Sequence, residues 1–447
     1  MGPETERADP VSHPSVPSGD RQKPRTGSLF PYPIFQLDSL WGTMIPPLLY
    51  LDRYRNEGTR AYSPHAGYTE AHQRFRPNSP VATFQIPAFQ VPLEELNVYR
   101  ADPDPILLTE YVSEGEASLC VHPQLMESHG KDPYLKKVLS LGGGQREITV
   151  SPSSSTRTLY VHEAHPPHAL KLHFPFRISR YGRRMRDEVV EQAVGVSWEL
   201  QEGIGSMDSR FAFLREVLGV SYRNLEPASA RGENWGYLVR EMTPFPSVSE
   251  ERTLIPGFAL YGGDFFDPDQ PPLLRQLLKG RDQKSYILEQ IMFPIIRHWV
   301  DGFRKFGLLL EPHGQNVLLE VGDNGDVLRI VHRDLNVGID NRRRRELQIP
   351  LNPTNTYNQM ETGEFSSITY DKFMGGHFFD PLVAALIQRN PSLRAEDFRN
   401  PCTQEFARVF PEHRVYLPRT VQYFSEERDR FGKPRFQDTG AAPSWRP

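Results

Sequence analysis

The hydrophobic pattern of this chain changes near Pro244, and this change constrains the fold more than any other feature. From about residue 81 to about residue 245, short β-branched or alternating runs are separated by Pro, Gly and Asp. A period of two residues is typical of strands, so this region predicts a mostly antiparallel sheet. After Pro244, apolar residues recur at helical spacing. Strand-rich and helix-rich regions that follow one another predict an α+β protein.

The same pattern places individual elements. Strands are predicted at Val81–Val91, Ala117–Val121, Ile148–Val150, Thr158–Val161, Leu170–Ile178 and Tyr237–Val239. A helix predicted at Asp187–Gln201 interrupts them, and further helices are expected at Pro271–Leu278 and Lys284–Phe306. The longest helix carries one apolar stripe, which predicts that it packs against a core, and Gly307 is expected to end it.

Length and composition narrow the class of protein. The chain has 447 residues, so two or three packed units are expected, because single cores stop growing at roughly 250–300 residues. Its 52 basic and 56 acidic residues give a net charge of −4, which favours no nucleic-acid partner. Cys120 and Cys402 form no CxxC motif, as expected of a reduced cytoplasmic protein. Neither a secretory signal nor an apolar run of about 20 residues is evident, so no membrane association is expected.

A first group of polar residues begins in the hydroxyl-rich turn Ser153–Ser155. Hydroxyl and backbone N–H groups in such a turn can bind phosphate oxygens, and an arginine can bind them through two nitrogens. If Lys171–Ser179 is one strand, its alternate side chains share a face, and Arg183 follows at its end. The group then converges on a triphosphate; the alternative is a set of cations solvated on a sheet surface. The converging residues are Ser155, Arg157, Lys171, Ser179 and Arg183.

A second group lies further along the chain, where a polar loop, a strand, a Gly/Asn/Asp turn and a returning strand end on an acid. Such a hairpin brings Asn316, at the start of one strand, close to Asp334, at the end of the other. With Glu311 they offer the oxygen ligands that suit Mg²⁺. We expect His313 to donate to a phosphate or to the reacting carboxylate, and Gln315 to contact nucleotide or substrate. The alternative is a set of ordinary loop residues with a structural histidine.

Together these motifs resemble the NRPS-independent siderophore synthetases, also called the IucA/IucC family. The resemblance rests on Ser-Ser-x-Arg-Thr at Ser154–Thr158, the segment Lys171–Arg183, Glu-x-His-x-Gln-Asn at Glu311–Asn316 and Arg-Asp at Arg333–Asp334. It extends from about residue 145 to about residue 425. The His-Pro-rich, Lys-containing motif usual upstream in this family is not evident, and this N-terminal region is shorter than in its members.

The resemblance implies a cupped-hand α+β fold with ATP held between two domains. These are an antiparallel-sheet fingers domain and a mainly helical palm, preceded by a reduced N-terminal thumb. The implied divisions are a disordered tail at 1–28, the reduced thumb and the start of the fingers at 29–145, the fingers at 146–245, the palm at 246–432 and a flexible tail at 433–447.

By position, the resemblance also implies roles for the two groups of residues. The finger residues that correspond to phosphate-binding positions are Ser154, Ser155, Arg157, Lys171, Ser179 and Arg183, with Ser179 where Thr is more usual. The palm residues that correspond to Mg²⁺ ligands are Glu311, Asn316 and Asp334, while His313 and Gln315 correspond to residues that line the nucleotide and carboxylate site. The expected catalytic residues are Arg183, His313 and Lys171.

The activity implied is that of an ATP-dependent ligase. A small carboxylic acid is activated as an acyl-adenylate with release of pyrophosphate, and an amine or alcohol then displaces AMP. Neither nucleic acid nor membrane is expected as a partner, and a homodimer is compatible with the sequence. A kinase-like phosphotransferase remains an alternative, because a polar loop, an Asn, a hairpin and a metal-binding Asp also describe the kinase core. A non-catalytic, metabolite-binding homologue is the other.

Overall fold

The computed structural model describes most of the chain from residue 48 onwards. The described residues are 48–56, 68–79, 81–127, 132–179, 181–223, 225, 235–250, 252–428 and 434–447. All of them belong to the compact unit Ile34–Pro447. The tail predicted at residues 1–28 lies outside the described residues.

Strands and helices both contribute to this unit. The strands are β1 (Phe84–Pro92), β2 (Leu96–Arg100), β3 (Glu116–Cys120), β4 (Gln145–Pro152), β5 (Thr158–Val161), β6 (His168–Leu172), β7 (Phe174–Ile178), β8 (Tyr181–Arg183), β9 (Phe211–Phe213), β10 (Glu216–Tyr222), β11 (Gly236–Glu241), β12 (Thr253–Pro256), β13 (Leu308–Leu309), β14 (Val317–Val321), β15 (Val327–His332), β16 (Gly338–Asp340), β17 (Gln359–Met360), β18 (Gln422–Arg428) and β19 (Pro434–Asp438). The α-helices are α1 (Leu48–Tyr54), α2 (Pro105–Tyr111), α3 (Pro123–Glu127), α4 (Pro133–Leu141), α5 (Asp187–Glu202), α6 (Leu273–Leu277), α7 (Gln283–Ile287), α8 (Phe293–Phe306), α9 (Asn341–Glu346), α10 (Glu364–Ser367), α11 (Asp380–Arg389), α12 (Glu396–Val409) and α13 (His413–Tyr416).

The first half of the chain forms an eight-stranded sheet in the order β2-β10-β11-β6-β5-β4-β1-β3. Every neighbouring pair in it is antiparallel. Apolar residues of α2, α3 and α4 share a core with one side of the sheet, whereas Val190 and Val194 of α5 pack with Leu238 of β11. The predicted α+β class and the antiparallel sheet are confirmed.

The second half is built around helix α8 and a smaller sheet in the order β12-β14-β15-β9, to which the first half contributes β9. The apolar stripe expected on the long helix is fully buried, which confirms its packing role. It consists of Ile287, Ile291, Ile295, Trp299 and Phe303. The helix runs through α7, a π-helical turn at Leu288–Met292 and α8, and it ends at Gly307 with a φ angle of +63°. This left-handed conformation is the reason a glycine stands there.

The prediction of one strand over Lys171–Ser179 is wrong. The chain breaks at His173 into β6, which pairs with β5 and β11, and β7, which pairs with β8 and forms one isolated bridge from Ile178 to Thr69. Pro175 lies in β7 and has no N–H to donate to a sheet ladder, so this segment is suited to a separate two-stranded ribbon. Alternation along the sequence therefore does not place Lys171 and Ser179 on one face.

The prediction of a flexible tail at residues 433–447 is also wrong. Strand β19 pairs with β18 in this segment, and Trp445 and Arg446 are 1% and 4% exposed. Arg446 forms a buried ion pair with Asp371, and its Nη2 atom lies 2.9 Å from Oδ2 of that residue. One aromatic ring and one ion pair hold a segment whose Pro and Gly content suggested disorder. Among the described residues, no helix is long and apolar enough to cross a membrane.

Candidate functional site

A buried lysine of the large sheet meets an acid that follows the β14–β15 hairpin. Lys171 on β6 is 2% exposed, and its Nζ donates to Oδ1 of Asp334, whose side chain is 33% exposed. Burial raises the pKa of the Asp334 carboxyl, but Lys171 and Arg240 outweigh burial and hold it well below its ordinary value. Asp334 is therefore ionised at neutral pH. This contact joins the two groups of polar residues that the sequence singled out.

The backbone at Asp334 is uncommon for a residue with a side chain. Its φ angle is +71°, in the left-handed region, which costs an L-residue on the order of 1 kcal/mol and is enriched at functional sites. Just before it, the Arg333 N–H donates to the Asn316 carbonyl at 2.9 Å. The hairpin therefore brings the backbones of Asn316 and Asp334 close together, as the sequence predicted.

A second buried ion pair lies beside Lys171. Arg240 on β11 donates through Nη2 to Oε1 of Glu216 on β10 at 2.5 Å, and the two side chains are 4% and 0% exposed. The other Glu216 oxygen accepts from the backbone N–H of Leu335 at 3.3 Å. Burial lowers the pKa of Lys171, and Asp334 and Glu216 oppose that shift. The sheet thus contacts the segment after the hairpin at the side chain of Asp334 and at the backbone of Leu335.

Two arginines lie at the edge of this cluster. Arg157 donates through Nη1 to the backbone carbonyl of Arg183 at 3.0 Å. Burial lowers the pKa of Arg157 to about 10, and the charge of Arg183 adds to that shift. In the described part of the chain, the partly exposed Arg183 guanidinium has no hydrogen-bond or ion-pair partner. Two neighbouring cations, one of them unpaired, form an arrangement that attracts an anion.

The polar loop before β14 carries a carboxyl group whose ionisation is strongly perturbed. Burial raises the pKa of Glu311 to about 8, and the negative charge of Asp334 adds to the shift. Lys171 and Arg183 act in the opposite direction. These four charges influence one another, so Glu311 lies in the same electrostatic environment as the cations of the sheet.

The histidine of this loop is a neutral hydrogen-bond donor. Burial lowers the pKa of His313 to about 4. The backbone N–H of Gln315 donates to its Nδ1 atom at 3.2 Å, so the ring proton resides on Nε2. Its ring packs edge to face on Phe373, with the centroids 5.8 Å apart. A neutral imidazole of this tautomer donates a hydrogen bond and carries no charge at pH 7.

Three oxygen-bearing side chains lie around this loop and the end of β15. Asn316 is 8% exposed, and its carboxamide has no hydrogen-bond partner among the residues described. Burial and the charge of Asp334 favour the protonated form of Glu311, and a divalent cation between the two carboxyl groups would favour loss of that proton. Two carboxylates and one carboxamide are hard ligands that fit Mg²⁺. In the described ranges, no three His, Cys, Asp or Glu side chains gather as a metal cluster, so such a site depends on the amide of Asn316.

Asp52 on helix α1 belongs to the same region, and sequence reasoning missed it. Its two oxygens accept from Nη1 and Nη2 of Arg333, both at 2.7 Å. They also accept from the Tyr160 hydroxyl at 2.6 Å and the Ser154 hydroxyl at 3.2 Å. The Gln315 amide in turn donates to Ser154 Oγ at 3.1 Å. Asp52 therefore connects the hydroxyl-rich turn to the polar loop before β14.

Two predicted residues do not join this cluster. The Ser155 hydroxyl accepts from the backbone N–H of Thr158 at 3.1 Å, a contact within its own turn. Ser179 follows β7 at the tip of the β7–β8 ribbon, where its N–H donates to the carbonyl of Tyr68 at 2.8 Å. Arg183 pairs with the first residue of β7, so it lies roughly 13 Å along the ribbon from Ser179 at about 3.3 Å per residue. Their assignment to a phosphate site stays a prediction.

The chain is similar to known proteins in sequence over part of its length and in fold over most of it. A family model described as the IucA / IucC family matches residues 70–262. The resemblance to the IucA / IucC family is confirmed. The match begins before residue 145, earlier than the motifs indicated, and it does not include Glu311–Asp334. No curated protein is detectably similar in sequence.

Several solved structures share the fold of this chain. The petrobactin biosynthesis protein AsbB from Bacillus anthracis str. Sterne superimposes with a TM-score of 0.66 and 16% identity, over 84% of this chain and 71% of AsbB. ATP-bound aerobactin synthetase IucA from a hypervirulent pathotype of Klebsiella pneumoniae superimposes with a TM-score of 0.58 and 14% identity, over 78% of this chain and 66% of IucA. Aerobactin synthetase IucC from that pathotype superimposes with a TM-score of 0.59 and 14% identity, over 78% of this chain and 66% of IucC. This chain thus spans about two thirds of the length of the aerobactin synthetases.

Proposed function

We propose that this chain is an ATP-dependent ligase of the siderophore-synthetase type. It activates a small carboxylic acid as an acyl-adenylate and joins the acyl group to an amine or an alcohol. The family match and the fold shared with AsbB, IucA and IucC support the class of enzyme. An ATP-bound structure among these neighbours supports the choice of nucleotide.

The observation that carries the proposal is the contact between Lys171 and Asp334. It joins a sheet that carries cations to a hairpin whose two ends carry oxygen ligands. A nucleotide triphosphate needs both, because its phosphate oxygens bind cations directly and also share a divalent metal with carboxylates. The unpaired Arg183 and the neutral His313 lie in the electrostatic environment of the same cluster.

The proposed reaction has two steps. A carboxylate oxygen of the substrate attacks the α-phosphorus of ATP, the bond from that phosphorus to the oxygen bridging to the β-phosphorus breaks, and pyrophosphate leaves. The amine or hydroxyl of the second substrate then attacks the acyl carbon, AMP leaves with the bonding electrons, and the nucleophile loses a proton.

The residues of the cluster stabilise the charge that grows in the first step. Arg183 and Lys171 act on the leaving pyrophosphate and the phosphate oxygens, and His313 donates from Nε2 to an oxygen of the phosphate or the carboxylate. Glu311, Asn316 and Asp334 would hold Mg²⁺, which supplies further positive charge next to the phosphates when bound. Asp334, paired with Lys171, is ionised and therefore already prepared as a ligand.

A pyrophosphate-release screen tests the proposal. The full chain is incubated with MgATP, hydroxylamine as a generic acceptor, and a panel of small dicarboxylic and tricarboxylic acids. We expect release of pyrophosphate and AMP that depends on one class of acid. Formation of ADP instead would identify a phosphotransferase. No product combined with no binding of MgATP would identify a non-catalytic homologue.

A further inference from the structure

Helix α1 is short, and yet several of its polar side chains are buried. Asp52 and Arg53 are both 0% exposed, and Arg55, directly after the helix, is 0% exposed as well. Charged side chains are almost never fully buried without partners, since their desolvation is costly. Each of these buried charged groups is therefore expected to have polar partners elsewhere in the chain. Arg53 donates to backbone carbonyls before β1, such as Pro77, and Arg55 pairs with Asp264.

Asp52 differs from the other two because it connects residues of the candidate site. Its carboxylate is held by both terminal nitrogens of Arg333, the residue next to Asp334. The same guanidinium donates from Nε to the backbone carbonyl of Gln315 at 2.7 Å. Arg333 is thus fixed by three hydrogen bonds, and it fixes the loop that precedes Asn316. The geometry depends on Asp52, because without it the buried Arg333 loses its counter-ion.

Asp52 also holds the turn on the other side of the site. Tyr160 on β5 and Ser154 in the preceding turn both donate to it, and Ser154 in turn accepts from Gln315. One carboxylate therefore connects the hydroxyl-rich turn to the polar loop before β14. The bidentate geometry restricts both partners to one orientation, which a single contact would not do.

We propose that Asp52 is a positioning residue for the nucleotide site. It keeps the turn that contains Ser154 and the loop that contains Gln315 and Asn316 at the spacing at which both act on one bound MgATP. This inference rests on the proposed function. Asp52 acts through Arg333 and Ser154, and it does not itself contact a phosphate.

The test compares Asp52→Asn with a matched control on the same hairpin. Glu320 on β14 is also buried, and it pairs with both Nε and Nη2 of Arg329 on β15, next to β12 rather than to the candidate site. Glu320→Gln therefore removes the same charge from a similarly buried arginine pair on the hairpin that precedes Arg333; Glu320 also contacts Arg252, again away from the candidate site. Unfolding midpoints in urea measure how far each variant is destabilised, and we expect the two losses to be similar.

MgATP affinity is then measured by calorimetry on the full chain. We expect the Kd to rise at least tenfold in Asp52→Asn and to stay within twofold of wild type in Glu320→Gln. We also expect the double variant Asp52→Asn/Arg333→Met to regain stability, since no buried charge is left unpaired, without regaining affinity. Equal affinities in wild type and Asp52→Asn, or affinity that recovers together with stability, would overturn the positioning role. Absence of MgATP binding in the wild-type protein would instead refute the proposed function.

Discussion

The packing of Trp445 allows a quantitative prediction about the segment that the sequence suggested was flexible. The Trp445 ring is 1% exposed, lies 5.2 Å from the ring of Phe379 at an angle of 73°, and covers Gly375. At Gly375 an added Cβ would meet the indole at 2.5 Å, so the glycine is needed for this close approach. The neighbouring Arg446 is fixed by its buried ion pair with Asp371.

Truncation of this side chain removes a large apolar group and leaves a cavity. Replacing a buried tryptophan with alanine costs about 3–5 kcal/mol of unfolding free energy. Among the residues described, the indole Nε1 has no hydrogen-bond partner. We therefore expect Trp445→Phe, which keeps most of the ring and loses no hydrogen bond, to cost less than about 1.5 kcal/mol.

Urea unfolding followed by circular dichroism measures these differences. Trp198 on α5 provides a matched control because it is 44% exposed, and its replacement by alanine is expected to change stability by no more than about 0.5 kcal/mol. If Trp445→Ala and Trp198→Ala unfold at the same urea concentration, the reasoning is refuted, and the segment after β19 does not pack on the core.

Two further predictions concern buried titratable groups. Burial lowers the pKa of His122 to about 3, and the charges of His72 and Arg74 add to the shift. The unfolded chain therefore binds a proton at this histidine below about pH 6.5, whereas the folded chain binds it only near pH 3. The free energy of unfolding thus falls as the pH falls through this window, by up to about 1.4 kcal/mol per pH unit. In urea titrations between pH 4 and 7, His122→Phe should show a flatter dependence of stability on pH than wild type. Identical dependence in the two proteins would contradict this. Asp334→Asn leaves Lys171 buried without a counter-ion, and we expect a loss of about 3 kcal/mol that the double variant with Lys171→Met largely restores; urea titrations that show no restoration would count against the pair.

The sequence predicted those elements whose pattern repeats locally. Strand β5 lies at Thr158–Val161 as predicted, and helix α5 differs from its prediction by one residue at its end. The strand β10 was missed, because Gly219 and Glu216 interrupt its apolar character. Glu216 is there to pair with Arg240 on the neighbouring strand, and a tertiary requirement of that kind leaves no periodic signal.

The site was predictable as two groups of residues, but its connections were not. Spacing and family resemblance identified Lys171 and Asp334, and the hairpin placed Asn316 correctly. Asp52 could not be found in this way, because its partners Ser154 and Arg333 lie 102 and 281 residues away in the sequence. A carboxylate on a seven-residue helix looks like a solvated residue until the fold buries it.

Calorimetric titration of MgATP into the full chain tests most directly whether the two groups of residues form one nucleotide site. Arg183→Ala removes the unpaired cation, while Arg177→Ala removes an exposed arginine of the same β7–β8 ribbon that stacks on Tyr68, 4.7 Å from its ring centroid. We predict binding to one site in the wild-type protein, unchanged affinity in Arg177→Ala, and affinity at least tenfold weaker in Arg183→Ala. Equal affinity in all three proteins, or no binding in any of them, would contradict the account.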